Sequence, residues 1–130
     1  MITNTEILNN PLLYNSLDGK KFILHQPLDT LLTFSDGSTR LYSVPTGFVT
    51  DFASIPRITH PIIPKLGRYN RPAILHDYLY ASGDFPRRTA DTIFLLAMKN
   101  VGVSAARRQI MYLAVRVGGW VPWNKYRKMQ

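Results

Sequence analysis

Between Phe22 and Val44 the apolar positions fall in short runs: Phe22-Ile23-Leu24, Leu31-Leu32-Thr33-Phe34 and Thr39-Arg40-Leu41-Tyr42-Ser43-Val44. Runs of this length, rich in β-branched and aromatic residues, predict strands. Asp36-Gly37 between the last two predicts a hairpin, because tight turns need residues that tolerate positive φ. Pro45, Gly47, Pro56, Pro61 and Pro64 then interrupt any period as far as Gly67, which predicts an irregular connection holding at most a short helical turn. Beyond it the spacing becomes helical. A first helix starts near Asn70, tolerates Pro72 in its first turn and ends at Gly83. A second starts between Asp84 and Pro86, buries Ala90, Ile93, Phe94, Ala97, Met98 and Val101, and stops at Gly102. A third is capped by Ser104, runs through Ile110, Leu113, Ala114 and Val117, and ends at Gly118-Gly119.

The expected fold is α+β, in one domain of 130 residues. Residues 1–67 form an antiparallel hairpin or small sheet and the irregular connection, 68–119 a three-helix bundle, and 120–130 a basic aromatic tail. The chain has no cysteine, which excludes disulfides and thiolate chemistry. The first ten residues lack a basic start and an apolar run, and no stretch nears the roughly 20 apolar residues of a membrane span. The chain is therefore expected to be made as a soluble cytosolic protein. The formal charge of +8 is concentrated in one half: residues 1–64 hold four Lys/Arg and five Asp/Glu, residues 65–130 twelve and three. Such a half suits anionic partners such as acidic protein surfaces, lipid headgroups or nucleic acid, although most basic runs are only solvated faces.

Candidate chemistry centres on the first helix. Ala73, Ile74, Leu75, Tyr78, Leu79 and Tyr80 leave it no wide polar face, so it should be buried, and His76 and Asp77 with it. A buried carboxylate costs several kcal/mol unless it is protonated, hydrogen-bonded or metal-bound, so both residues need partners. His76 and Tyr80 share a face; Asp77 lies about 100° further round. Asp91 borders the apolar stripe of the second helix and can meet His76 if the two helices pack side by side. An aspartate on one ring nitrogen fixes the tautomer and leaves the other as a base. Otherwise Asp91 merely favours its own helix N-terminus. Asp51 and Ser54 have the spacing of a cap on a short turn. For Ser54 the structural role is preferred, since no Gly-x-Ser-x-Gly elbow surrounds it. Arg57, Arg68 and Arg71 flank the helix entry as candidate anion-binding residues, with surface or ion-pair roles as the common alternative. His25 and His60 are isolated and assigned to no site.

Gly47-Phe48-Val49-Thr50-Asp51-Phe52-Ala53-Ser54-Ile55-Pro56-Arg57 and His76-Asp77-Tyr78-Leu79-Tyr80 resemble the signatures of a domain-of-unknown-function family encoded by tailed bacteriophages and prophages. The resemblance continues through Ala90-Asp91, Phe94, Ala97-Met98 and Arg108 to Gly118, covering about residues 40–119. It implies phage origin, synthesis in the host cytoplasm with the virion as a destination and, as partners, other virion proteins or an anionic envelope surface. More distantly, His-Asp-x-x-Tyr on one helix and Ala-Asp-x-x-Phe on the next are similar to calcium-dependent secreted-type phospholipases. That resemblance implies His76 as general base, Tyr80 and Asp91 orienting it, and Asp77 binding a Ca2+ that polarises an ester carbonyl. The glycine-rich loop that supplies calcium ligands there has no counterpart here, and Asp51 is the replacement carboxylate. Zinc on His76, Asp77 and Asp51 would match no familiar spacing. Two functions stand side by side: a phospholipase-like hydrolase acting on lipid or another envelope ester or amide, and a non-catalytic tail, baseplate or head-completion subunit with a buried His/Asp/Tyr network. A nucleic-acid binder rests on charge alone.

Overall fold

The computed structural model describes residues 1–56 and 70–129. Six strands precede four helices: β1 (Ile2–Ile7), β2 (Leu13–Asn15), β3 (Phe22–Leu24), β4 (Leu28–Phe34), β5 (Thr39–Val44), β6 (Val49–Thr50), α1 (Asn70–Ser82), α2 (Arg87–Asn100), α3 (Ala105–Gly118) and α4 (Trp120–Lys128). They form two antiparallel sheets of three strands, ordered β1-β4-β5 and β2-β3-β6. The α+β class and the order of strands before helices are as the sequence predicts.

The hairpin forms between β4 and β5, in a register that pairs Leu28 with Val44 and Thr33 with Thr39. Gly37 takes φ +87°, and the Asp36 carboxylate accepts from the Ser38 amide at 2.9 Å, so the turn chemistry is local. Alternation along β4 buries Leu28, Thr30 and Leu32 toward the helices, and Tyr42 and Val44 of β5 join them. Thr30 is tolerated in this core because its hydroxyl donates to the Tyr42 carbonyl at 2.6 Å. α2 lies against β1, and α1 and α3 both pack on α2.

Four elements depart from the sequence expectation: β1, β2, α4, and β6, which pairs with β3 inside the stretch expected to hold at most a helical turn. β1 and β2 lie in the first 21 residues, where no strand was predicted: only Ile2 and Thr5 of β1 are buried, so pairing with β4 makes the strand rather than an apolar run. The bundle has four helices, because the expected tail is α4. Gly118-Gly119 and Pro122 read as a break, yet Gly119 keeps right-handed helical angles (φ −70°, ψ −16°). Pro122 lies in the first turn, where a missing N–H does no harm. α4 then packs back on α1. Trp123 meets the Tyr80 ring edge-on with centroids 5.2 Å apart, and the Arg127 guanidinium stacks over Trp123 at 4.2 Å. Arg127 also donates to the carbonyls of Tyr80 and Ala81, capping the C-terminal turn of α1. Gly83 allows this approach: it has φ +68°, and a β-carbon there would stand 2.7 Å from the guanidinium.

Truncation after Gly119 is therefore expected to lower stability by about 2 kcal/mol, the loss of a partly buried tryptophan and of a charged cap. Thermal melting would show a drop of roughly 5–10 °C for a domain of this size. An unchanged melting temperature would mean that α4 does not hold the fold.

Candidate functional site

The site is assembled from three directions. α1 carries His76, Asp77 and Tyr80, α2 carries Asp91, and β6 with the following loop carries Thr50, Phe52 and Ser54. The β2-β3-β6 sheet fixes the loop, since Thr50 pairs with Phe22 of β3 and Phe52 packs on the Phe22 ring at 5.5 Å. Ser54, His76, Asp77 and Asp91 are all fully buried, at 0% exposure.

Asp77 is saturated from the loop. One carboxylate oxygen accepts from the Thr50 hydroxyl and, at 3.1 Å, from the Phe52 amide. The other accepts from the Ser54 hydroxyl and, at 2.9 Å, from the Ser54 amide. Turning both amides onto one carboxylate requires a tight bend, and Phe52 makes it at φ +62°, the left-handed region that bulky residues rarely enter. Strain of this kind persists only where the surroundings hold it, and Asp77 supplies that hold. Burial pushes the Asp77 carboxyl above the ordinary range, against the pull of its hydrogen bonds.

His76 uses both ring nitrogens. Nε2 meets Asp91 Oδ1 at 2.7 Å, and Nδ1 meets Ser54 Oγ at 2.9 Å. The Tyr80 hydroxyl donates to the same Asp91 oxygen at 2.7 Å, and its ring stacks beside the imidazole at 4.3 Å, with Phe94 at 4.6 Å on His76 as well. Burial, then the Asp91 charge, raises the Tyr80 phenol well above its usual range, so it stays a donor. The second Asp91 oxygen takes Arg116 Nη1 from α3 at 2.7 Å, with Arg87 at 3.5 Å. The whole is a line: Asp77, Ser54, His76, Asp91, then Arg116. Ser54 has one proton for two neighbours, so one of them must donate to it. Either Nδ1–H of an imidazolium donates and Asp77 is ionised, or Asp77 is protonated and donates while Nδ1 accepts. Both arrangements are neutral with Arg116 included and differ by one proton moved along Asp77-Ser54-His76.

The structure joins His76, Tyr80 and Asp91 as the helix-pair reading required, and Asp91 turns inward rather than toward its helix N-terminus. Asp77 adjoins them through Ser54. Asp51 stays outside: it is exposed, and its carboxylate accepts from the Ala53 amide at 2.9 Å. Arg71 donates from one guanidinium nitrogen to the Asn9 carbonyl at 2.8 Å. Arg57 and Arg68, like His60, lie outside the described residues. Sequence reasoning assigned no part in the site to Thr50, Phe52, Arg87 or Arg116 and gave Ser54 a turn role only. Arg87-x-x-x-Asp91 was a visible i,i+4 pair, whereas Arg116 arrives from a third helix with no local signal. Among the described residues, no group of three or more His, Asp or Glu side chains could hold a metal ion. Nor is any helix there long and apolar enough to cross a membrane.

Comparison with curated proteins and with solved structures finds no match. One family model does match, over residues 27–115, a span that contains Thr50, Ser54, His76, Asp77, Tyr80 and Asp91 and stops one residue before Arg116. The chain thus belongs to the family described as "Protein of unknown function (DUF1353)".

Proposed function

We propose that the chain is a non-catalytic bacteriophage virion component, a tail, baseplate or head-completion subunit, in which the His76 network is a structural clamp. The phage setting comes from the resemblance of the 47–57 and 76–80 segments to phage-encoded proteins. The observation that carries the non-catalytic role is the complete burial and internal pairing of Ser54, His76, Asp77 and Asp91. A general base needs one ring nitrogen within reach of water or substrate, and here Ser54 occupies the nitrogen that Asp91 leaves. The network instead fastens the 50–54 loop to α1, α1 to α2, and α2 to α3. Satisfied networks of this kind specify one packing of a core. Calcium has no part in this reading, because both oxygens of Asp77 already accept loop amides and Asp51 is exposed and bonded within its own turn.

The hydrolase reading keeps one observation in its favour. Asp91 and Tyr80 orient His76 as the phospholipase resemblance implies, so displacement of Ser54 would expose a poised imidazole. Two measurements separate the readings. Purified phage particles are expected to contain the chain by mass spectrometry. The purified protein is expected to release no product from phosphatidylglycerol vesicles or nitrophenyl esters, with or without calcium. Turnover that disappears in His76→Gln, together with absence from particles, would overturn the structural role.

A further inference from the structure

The network leaves the opposite side of the helical layer unused. α3 buries Met111 and Val115 against the core, but Ile110, Leu113 and Val117 stand 55%, 58% and 76% exposed. With exposed Ala106 before them and Trp120 (56%) after them, they recur at spacings of four, three, four and three. That is the spacing of a helix-pairing seam, one side chain wide, rather than of the broad apolar face with which a helix lies in a bilayer. Gly119 N–H bonds to the Val115 carbonyl at 2.8 Å and the Gly119 carbonyl accepts from Trp123 N–H at 3.0 Å, so helical bonding brackets the junction and carries the stripe into α4. Val121, 54% exposed, adjoins its end.

Charge decides the occupant. After Asp91 the sequence has seven Lys/Arg and no Asp or Glu. Arg116, Arg127 and Arg108 are spent on Asp91, the α1 carbonyls and the Val103 carbonyl, while Arg107, Lys125 and Lys128 are exposed beside the stripe. A second copy would set cations against cations, which opposes self-pairing.

The geometry points to the exposed seam Ala106-Ile110-Leu113-Val117-Trp120 as a docking surface for one amphipathic helix of a partner protein whose apolar seam is flanked by Asp or Glu. At 1.5 Å per residue the seam runs about 21 Å, enough for a partner helix of about 15 residues. It is separate from the buried network and stands whether or not the chain is a particle component.

The test uses the full chain and two synthetic 21-residue peptides with leucine at the a and d positions, one with glutamate and one with lysine at e and g. The glutamate peptide is expected to bind saturably, more weakly as salt rises, and at least tenfold more tightly than the lysine peptide. The double variant Leu113→Glu, Val117→Glu should keep the circular-dichroism melt and lose the binding at least tenfold, since both positions are exposed. Equal binding of the two peptides, or none, would overturn the proposal. So would binding confined to phosphatidylglycerol vesicles, which would make the face a lipid surface. Sedimentation as a dimer that the double variant dissociates would overturn it in favour of a second copy.

Discussion

Asp77→Ala is expected to cost about 3–5 kcal/mol of folding stability, because it strands several buried polar groups at about 1–3 kcal/mol each. A domain of this size has only about 5–15 kcal/mol in total, so the variant should melt far below the parent or fail to fold. The reason lies in what the carboxylate holds. Without it, the Thr50 and Ser54 hydroxyls and the Phe52 and Ser54 amides lose a buried partner, and one hold on Phe52 at φ +62° is gone. Asp77→Asn should be milder, at roughly 1–3 kcal/mol. Its carbonyl can serve one side of the loop, and its NH2 can donate to a hydroxyl on the other, but the amide there is left facing a donor. The expected order by urea titration is parent, then Asn, then Ala. A pair of variants as stable as the parent would show that the loop does not depend on Asp77.

The helical part of this arrangement could be read from local sequence because its causes are local. The apolar circumference of α1 announced burial, and Ser104 caps α3 by accepting from the Arg107 amide as its spacing implied. Asp91 beside the α2 stripe was enough to place it near His76. The β half was harder. β1 exposes four of its six positions at least in part and exists through its ladder with β4, a contact between residues some 28 apart that no local pattern encodes. α4 was hidden for a different reason: its helix-breaking glycines and proline are tolerated because α1 offers Tyr80 and two terminal carbonyls for Trp123 and Arg127. Burial, with the Asp77 and Asp51 charges adding, pushes the Tyr126 phenol of α4 up to about 12.

The same distinction runs through the site. An imidazole and a carboxylate on one buried helix signalled that partners were required, but not which ones. The partner of Asp77 proved to be a bent loop 23 to 27 residues earlier, and that of Asp91 an arginine 25 residues later. Ser54 shows how a correct local reading can still be incomplete. It does sit in a turn, its amide and hydroxyl both on Asp77, yet its oxygen also reaches Nδ1 and so joins the two acids through the imidazole. The family model spans this entire line except Arg116, whose contribution comes from the end of α3.

A double-mutant cycle on His76 and Asp91 is expected to show strong non-additivity, with a coupling of about 0.5–3 kcal/mol. The two groups are 2.7 Å apart with no exposure, so each single variant strands the other. Asp91→Ala leaves Nε2, the Tyr80 hydroxyl and the Arg116 guanidinium without their acceptor, and His76→Ala leaves Ser54 without Nδ1 and opens a cavity beside Tyr80 and Phe94. The double variant removes the mutual loss once instead of twice, so its cost should fall short of the sum. Asp91→Ala should be the worse of the singles, because an arginine cannot neutralise itself by losing a proton. Should those backgrounds prove too unstable, Asp91→Asn with His76→Gln measures the same coupling from a milder start. Additive losses in the milder cycle would mean that the contact contributes no coupling, and the clamp proposed for this network would then rest on Asp77 and its loop alone.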